Sequence, residues 1–347
     1  MPYEIYYARL DEIRQVRQTL LNSTYSQNYL PIRVPNKWVR GNGSRIVALF
    51  YKTSKDIVCP HFWELKAWTG CPFNCSYCYL QGTFHGANRK MPRMKEEKDI
   101  VKYLEEFLRW ANGNGLITLL NAGEVADSLG VPTYVEKFLE IALPILKKYS
   151  DHKVLFLTKG GTRHIRVLEK IPTKMRNRFI ISFSVNPQVI VDKFEKGTAS
   201  SGDRINAAKK AQEMGFEVRI RIDPMIPVEG WVLYYEELAR ELLDEVKPSR
   251  ITLGTLRALA KTIKYSQEKS WLKYVSESSS WGLRIEGKLR VRMYELMIEF
   301  LREYGFKGDI ALCKETPEVW RTLNLKGVIG DPGTPGVWEN VMCNCKL

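Results

Sequence analysis

The segment GCPFNCSYCYLQGTF carries Cys71, Cys75 and Cys78 on one short stretch with C-x3-C-x2-C spacing. Three thiolates so placed can bind three irons of a [4Fe–4S] cubane and leave the fourth iron open to a small molecule. A structural zinc site is the competing reading, but such sites close with four ligands and usually draw on C-x2-C pairs. Four more cysteines stand apart: Cys59, then Cys313, and Cys343 and Cys345 in a terminal CNC. The late three, with Cys59 as a fourth ligand, are candidates for an auxiliary Fe–S cluster; a redox or disulfide pair and inert thiols are the alternatives. The N-terminus, MPYEIYYARLDEIRQVRQTL, lacks an apolar h-region and reads as an amphipathic helix rather than a signal peptide. A reducing cytoplasm is therefore expected, where clustered cysteines more often bind metal than form disulfides.

The elements that must position these residues follow from the apolar runs. Strands are expected near 64–68, 116–121, 153–158, 179–185, 217–223 and 250–256. Helix-period segments lie between them near 95–112, 133–149, 163–171, 202–214 and 233–246, with another at 288–304. Runs such as KVLFLTK and RFIISFSV are nearly continuous in apolar residues, as strands covered on both faces are. Alternation of this kind predicts an α/β fold with a parallel sheet: a partial (β/α)6 barrel of the TIM type with N- and C-terminal extensions. The expected division is an extension over 1–58 with a helix and a β-hairpin turning at Lys55–Asp56, the barrel over 59–257, and a C-terminal region over 258–347. In such folds chemistry sits just after the strands. Those positions hold the cysteine loop with Tyr77 and Tyr79, Gly123 and Glu124, Lys159, Ser184 with Asn186, residues 223–227, and Arg257.

Composition narrows the classes. The 347 residues are 44% apolar and 27% charged, and no apolar run approaches the length of a membrane span. The formal charge of +14 points to a polyanion as partner. Between Arg257 and Arg292 nine basic residues face three acidic ones, with Tyr265, Trp271, Tyr274 and Trp281 interleaved. Basic side chains neutralise phosphates while aromatic faces stack on bases, so this block is a candidate nucleic-acid surface; a solvated helix face is the alternative.

The cysteine spacing, its place after the first strand and the aromatic Tyr77 before the third cysteine resemble the radical S-adenosylmethionine (SAM) signature. YCYLQGTF, the LTK ending at Lys159, and FSVNPQVIVDKFEKGTASSGDRINAAKKAQEMGFEVRIRIDPMIPVEGW are similar to the spore photoproduct lyase family. That resemblance, from about Gly70 to Met297, implies a [4Fe–4S] cluster that reduces SAM to a 5′-deoxyadenosyl radical for hydrogen abstraction, with a flavodoxin or ferredoxin as electron donor. It implies that Ala122-Gly123-Glu124 matches the element holding the SAM amino group, and that Lys159 and Ser184, with Asn186 as a further candidate, meet the SAM carboxylate. Tyr77 and Tyr79 match tyrosines used near the substrate and in hydrogen-atom return. Glu195 and Arg204 fall in the matching stretch, where a salt bridge or helix cap is expected.

The chain departs from the family at Glu124, which stands where the family carries a hydrogen-donating cysteine; a carboxylate cannot replace a thiol in that step. The leading expectation is a radical SAM enzyme acting on nucleic acid, in repair or base modification. The alternatives are the same chemistry on a small molecule or peptide, favoured by an auxiliary cluster, and a nucleic-acid-binding Fe–S protein without turnover.

Overall fold

A computed structural model of the protein describes residues 34–39, 46–50, 57–85, 91–149, 151–325 and 341–347. The expected N-terminal helix and the GDPGTPG loop lie outside these residues. Eight strands form the main sheet in sequence order: β1 (Val47–Phe50), β2 (Phe62–Leu65), β3 (Leu119–Asn121), β4 (Lys153–Thr158), β5 (Phe179–Ser184), β6 (Glu217–Met225), β7 (Arg250–Thr255) and β8 (Asp309–Leu312). From β2 to β8 every pairing is parallel, and only β1 runs antiparallel to its neighbour. The two ends of the sheet do not pair with each other, so the architecture is a partial barrel, as expected, with a seventh parallel strand contributed by the C-terminal region.

The apolar runs account for the layers. All six residues of β5 and all six of β7 are buried, so both faces of these strands are covered. Helices Glu97–Gly113, Pro132–Lys148, Ser201–Glu213, Trp231–Glu245 and Gly287–Glu303 occupy the crossovers. Each turns an apolar stripe to the sheet; the stripe of Glu97–Gly113 is Ile100, Leu104, Phe107, Leu108 and Ala111.

The expected hairpin differs in its second arm. Val47–Phe50 pairs with Phe62–Leu65, not with residues 57–59, and the proposed turn at Lys55–Asp56 lies outside the described residues. The reason is burial: Phe62 stacks on Phe50 at 4.7 Å, and Trp63 packs on Phe107 at 4.7 Å. Val58 instead bridges Glu315, just past the end of β8.

Glu315 ties this closure together. Its fully buried carboxylate meets Arg284 at 3.0 Å and Arg290 at 3.5 Å, and accepts the Tyr294 hydroxyl at 3.0 Å. Removing one partner of a buried ion pair strands the other charges, at a cost of about 3–5 kcal/mol. Glu315→Gln is therefore expected to lower the unfolding free energy by ~3–5 kcal/mol in denaturant titration. A loss below about 1 kcal/mol, the size of an exposed pair, would contradict the assignment.

Candidate active site

The C-terminal ends of the strands open onto one cavity of ≈ 400 Å³, within the range of small-ligand sites. All seven cysteines of the chain line it. So do Tyr77, Tyr79, Gly123, Glu124, Lys159, Ser184, Asp223 and Arg257, which the sequence singled out by their place after strands. Asn186 does not reach the wall; it is fully buried behind it.

The cysteine loop is pinned at its centre. Asn74–Cys75 pairs antiparallel with Glu195–Lys196, putting Cys75 opposite Glu195, and the Ser76 amide donates to the Phe194 carbonyl at 2.8 Å. Glu195 then gathers the neighbouring strand ends. Its buried carboxylate receives Lys159 Nζ at 2.9 Å, Asn186 Nδ2 at 2.8 Å and the Tyr77 hydroxyl, and pairs with Arg204 at 2.6 Å. Lys159 also donates to Ser184 Oγ at 2.8 Å. Burial alone would raise the Glu195 carboxyl, but Lys159 and Arg204 outweigh it and hold the group well below the usual carboxylate range. The expected Glu195–Arg204 salt bridge is present; its link to the cysteine loop, across more than a hundred residues of chain, had no local sequence signal.

The loop after β3 is held as firmly. Asp127 accepts the Thr158 hydroxyl and the Lys159 amide, each at 2.7 Å, and the Leu129 amide at 3.0 Å. Gly123 lies against Leu157, where an added Cβ would come within 2.6 Å of that side chain. Glu124 is thereby fixed at the cavity edge. Its Oε1 accepts Asn121 Nδ2 at 3.1 Å, and its backbone carbonyl accepts the Tyr79 hydroxyl.

The third wall was only partly legible. Asp223 is clasped by Arg257, at 2.8 and 3.1 Å, and by Arg221. Arg219, Arg221 and Asp223 alternate along β6 and so share one strand face, a polar row in an apolar strand that could have been read as cavity-facing. Lys314 sits over Phe50 at 4.7 Å and over Trp281 at 5.2 Å. The C-terminal residues line the same wall. Asn344 receives Ser182 Oγ at 2.9 Å, and Arg219 and Arg250 donate to the carbonyls of Asn344 and Cys343 at 2.8 and 2.6 Å.

The donor set suits a cubane. Burial raises the Cys71 thiol to about 12 and pushes Cys75 up as well, so both need a cation to become thiolates. Among the described residues no three His, Cys, Asp or Glu side chains converge on a single metal ion. Each cysteine of a cubane binds its own iron, so three separate thiolates are the donor set it takes. The late cysteines are arranged differently: Cys313 receives Arg221 at 3.2 Å, and Cys345 receives Asn121 Nδ2 at 3.4 Å.

The basic block is less uniform than its sequence. Arg257, Arg284 and Arg290 are internal, each held by a carboxylate, and Trp271 is fully buried. Lys261, Lys264 and Lys273 are exposed, with Lys264 and Lys273 over Tyr265 and Tyr274. Helix Ala260–Tyr265 packs on Leu80–Thr83, directly after the cysteine loop. The Gly82 position is so close to Lys261 that a Cβ would come within 2.6 Å of its backbone.

Because the folded Glu195 carboxyl lies below its ordinary value, its contribution is present above about pH 4.5 and lost as pH falls toward the folded value. Glu195→Gln is expected to cost ~3–5 kcal/mol at neutral pH. Its deficit against wild type, read by denaturant titration, should hold from pH 5 to 8 and narrow below about pH 4.5. A deficit that grows on acidification would contradict the network.

Comparison with known proteins identifies the family. The spore photoproduct lyase family model matches residues 48–264. The spore photoproduct lyase of Clostridium acetobutylicum is 24% identical over 243 residues, covering 68% of this chain and 70% of that protein. That of Bacillus subtilis is 27% identical over 183 residues, covering 53% of this chain and 51% of its own length. In solved structures, spore photoproduct lyase complexed with dinucleoside spore photoproduct matches with a TM-score of 0.60 and 20% identity, over 72% of this chain and 75% of that one. A variant with bound AdoMet and the same dinucleoside gives 0.60 and 20%, over 74% and 76%. Among the described residues no helix is long and apolar enough to cross a membrane. The chain is a member of the spore photoproduct lyase family, whose enzymes use a [4Fe–4S] cluster and SAM for radical chemistry.

Proposed function

We propose that this chain carries out radical SAM chemistry on a nucleic-acid lesion of the linked-pyrimidine type, the class represented by the dinucleoside bound to its structural neighbours. The single observation that carries the reading is the one cavity that joins three cluster cysteines to a carboxylate, an ammonium and a hydroxyl. Cys71, Cys75 and Cys78 hold the cluster. Glu124 takes the SAM ammonium as a charge-assisted hydrogen bond, and Lys159 with Ser184 takes its carboxylate. When bound, cluster and SAM together supply a 5′-deoxyadenosyl radical. The protein's own part is to position the reacting atoms and keep water and stray hydrogen donors away.

Asn186 acts through Glu195: it fixes the carboxylate that orients Lys159. Tyr77 and Tyr79 have their hydroxyl hydrogens committed to Glu195 and to the Glu124 carbonyl. Their role is to brace the loop that faces the substrate. The exposed lysines beside that loop support phosphate contact, and a low-potential flavodoxin or ferredoxin is the electron source this chemistry requires.

Two measurements test the proposal. Anaerobically reconstituted protein given SAM, dithionite and dinucleoside spore photoproduct is expected to form 5′-deoxyadenosine and open the dinucleoside; 5′-deoxyadenosine without opening would remove the lesion substrate. Replacing Lys261, Lys264 and Lys273 by Gln is expected to flatten the dependence of log affinity on log salt by about two to three for an oligonucleotide carrying the lesion. An unchanged slope would place the phosphates elsewhere.

A further inference from the structure

A carbon radical left on a substrate after bond cleavage must take a hydrogen atom, and the side chains able to give one are those with weak bonds to hydrogen: thiols first, tyrosine hydroxyls next. Both tyrosines at the cysteine loop have theirs held in hydrogen bonds. Of the seven thiols around the cavity, Cys71, Cys75 and Cys78 are taken by the cluster under the proposed function. Cys59 is turned to the Pro60 carbonyl at 3.7 Å. Cys313 receives Arg221 at 3.2 Å and Arg257 at 3.9 Å, and both guanidinium groups also bind Asp223.

Cys345 is placed differently. Asn121 Nδ2 reaches both Glu124 Oε1, at 3.1 Å, and Cys345 Sγ, at 3.4 Å. One amide therefore sets this sulfur beside the carboxylate assigned to SAM. The segment around it is anchored through backbone and amide groups rather than through its sulfur. The Asn344 amide donates to Thr252 Oγ1 at 3.0 Å, its side chain meets Ser182, and Arg250 holds the Cys343 and Lys346 carbonyls at 2.6 and 2.9 Å.

We infer that Cys345 is the hydrogen-atom donor of this enzyme, delivered to the cavity by the CNC segment. This rests on the proposed radical reaction. In the step, the Cys345 S–H bond breaks homolytically and its hydrogen atom forms a C–H bond at the product radical, leaving a thiyl on Cys345. One electron from the low-potential reductant that also serves the cluster, with one proton from solvent, restores the thiol.

Thiol hydrogens exchange with solvent, so the test is run in D2O with reconstituted protein, SAM and dithionite. In one arm dinucleoside spore photoproduct is present. Wild-type protein is expected to put one solvent deuterium into the opened product, and Cys345→Ser to lower labelled product by about tenfold or more. Cys343→Ser is expected to keep the label. In a second arm no dinucleoside is added, and 5′-deoxyadenosine itself is analysed: wild type is expected to yield deuterated nucleoside and Cys345→Ser the unlabelled one. This arm decides the inference even if the dinucleoside is not opened, an outcome that counts against the substrate alone. Iron and sulfide per chain are expected to be equal in wild type, Cys345→Ser and Cys343→Ser, showing an intact fold and no cluster on these sulfurs. Label retained in Cys345→Ser in either arm, label lost only in Cys313→Ser, or iron lost with Cys345→Ser would each overturn the assignment.

Discussion

One buried carboxylate holds the reaction centre in register. Glu195 lies opposite Cys75 in a two-residue ribbon, and it collects cations and donors from the ends of β4 and β5 and from helix Ser201–Glu213. A carboxylate without water around it is costly, and that cost is offset only while Lys159, Arg204, Tyr77 and Asn186 all remain in place. The cysteine loop, Lys159 and the helix that backs them are thus coupled through a single group. Under the proposed function the loop presents three sulfurs to a rigid cluster and has little tolerance for drift, so its anchor belongs in the most buried part of the wall.

The remaining walls repeat this logic with other chemistry. Asp127 fixes the loop that carries Glu124 by taking three donors from the ends of β3 and β4. Asp223 fixes two guanidinium groups beside Cys313. The cavity consequently presents ionised groups whose partners are already set before any ligand enters, which is what orientation of a reactive intermediate needs.

The sequence was most legible where the interactions are local. Spacing within the cysteine loop, the apolar runs of β4 and β5 and the residues just past the strands could all be read directly, because period and proximity along the chain decide them. Long-range pairings could not. Nothing near Glu195 says that it will lie beside Cys75; the late cysteines could be grouped with Cys313 and Cys59, but their anchoring on Arg219, Arg250 and Thr252 had no local signal. Counting charges misled for the opposite reason: Arg257, Arg284 and Arg290 look like surface in a basic block, yet each pairs with an acid outside it, Asp223 or Glu315. The hairpin arm differs because Phe62 stacks on Phe50 and Trp63 packs on Phe107, long-range ring contacts that local pattern does not show.

The account stands or falls on an iron at the cavity that carries no protein ligand. Electron–nuclear double resonance on the reduced, anaerobically reconstituted protein, with SAM labelled by 15N in its amino group and 13C in its carboxylate, reads this directly. Hyperfine coupling of both labels to the cluster is the predicted result, lost in protein lacking Cys75. A cluster fully capped by thiolates, with no coupling to either label, or a loop filled by zinc, would contradict it.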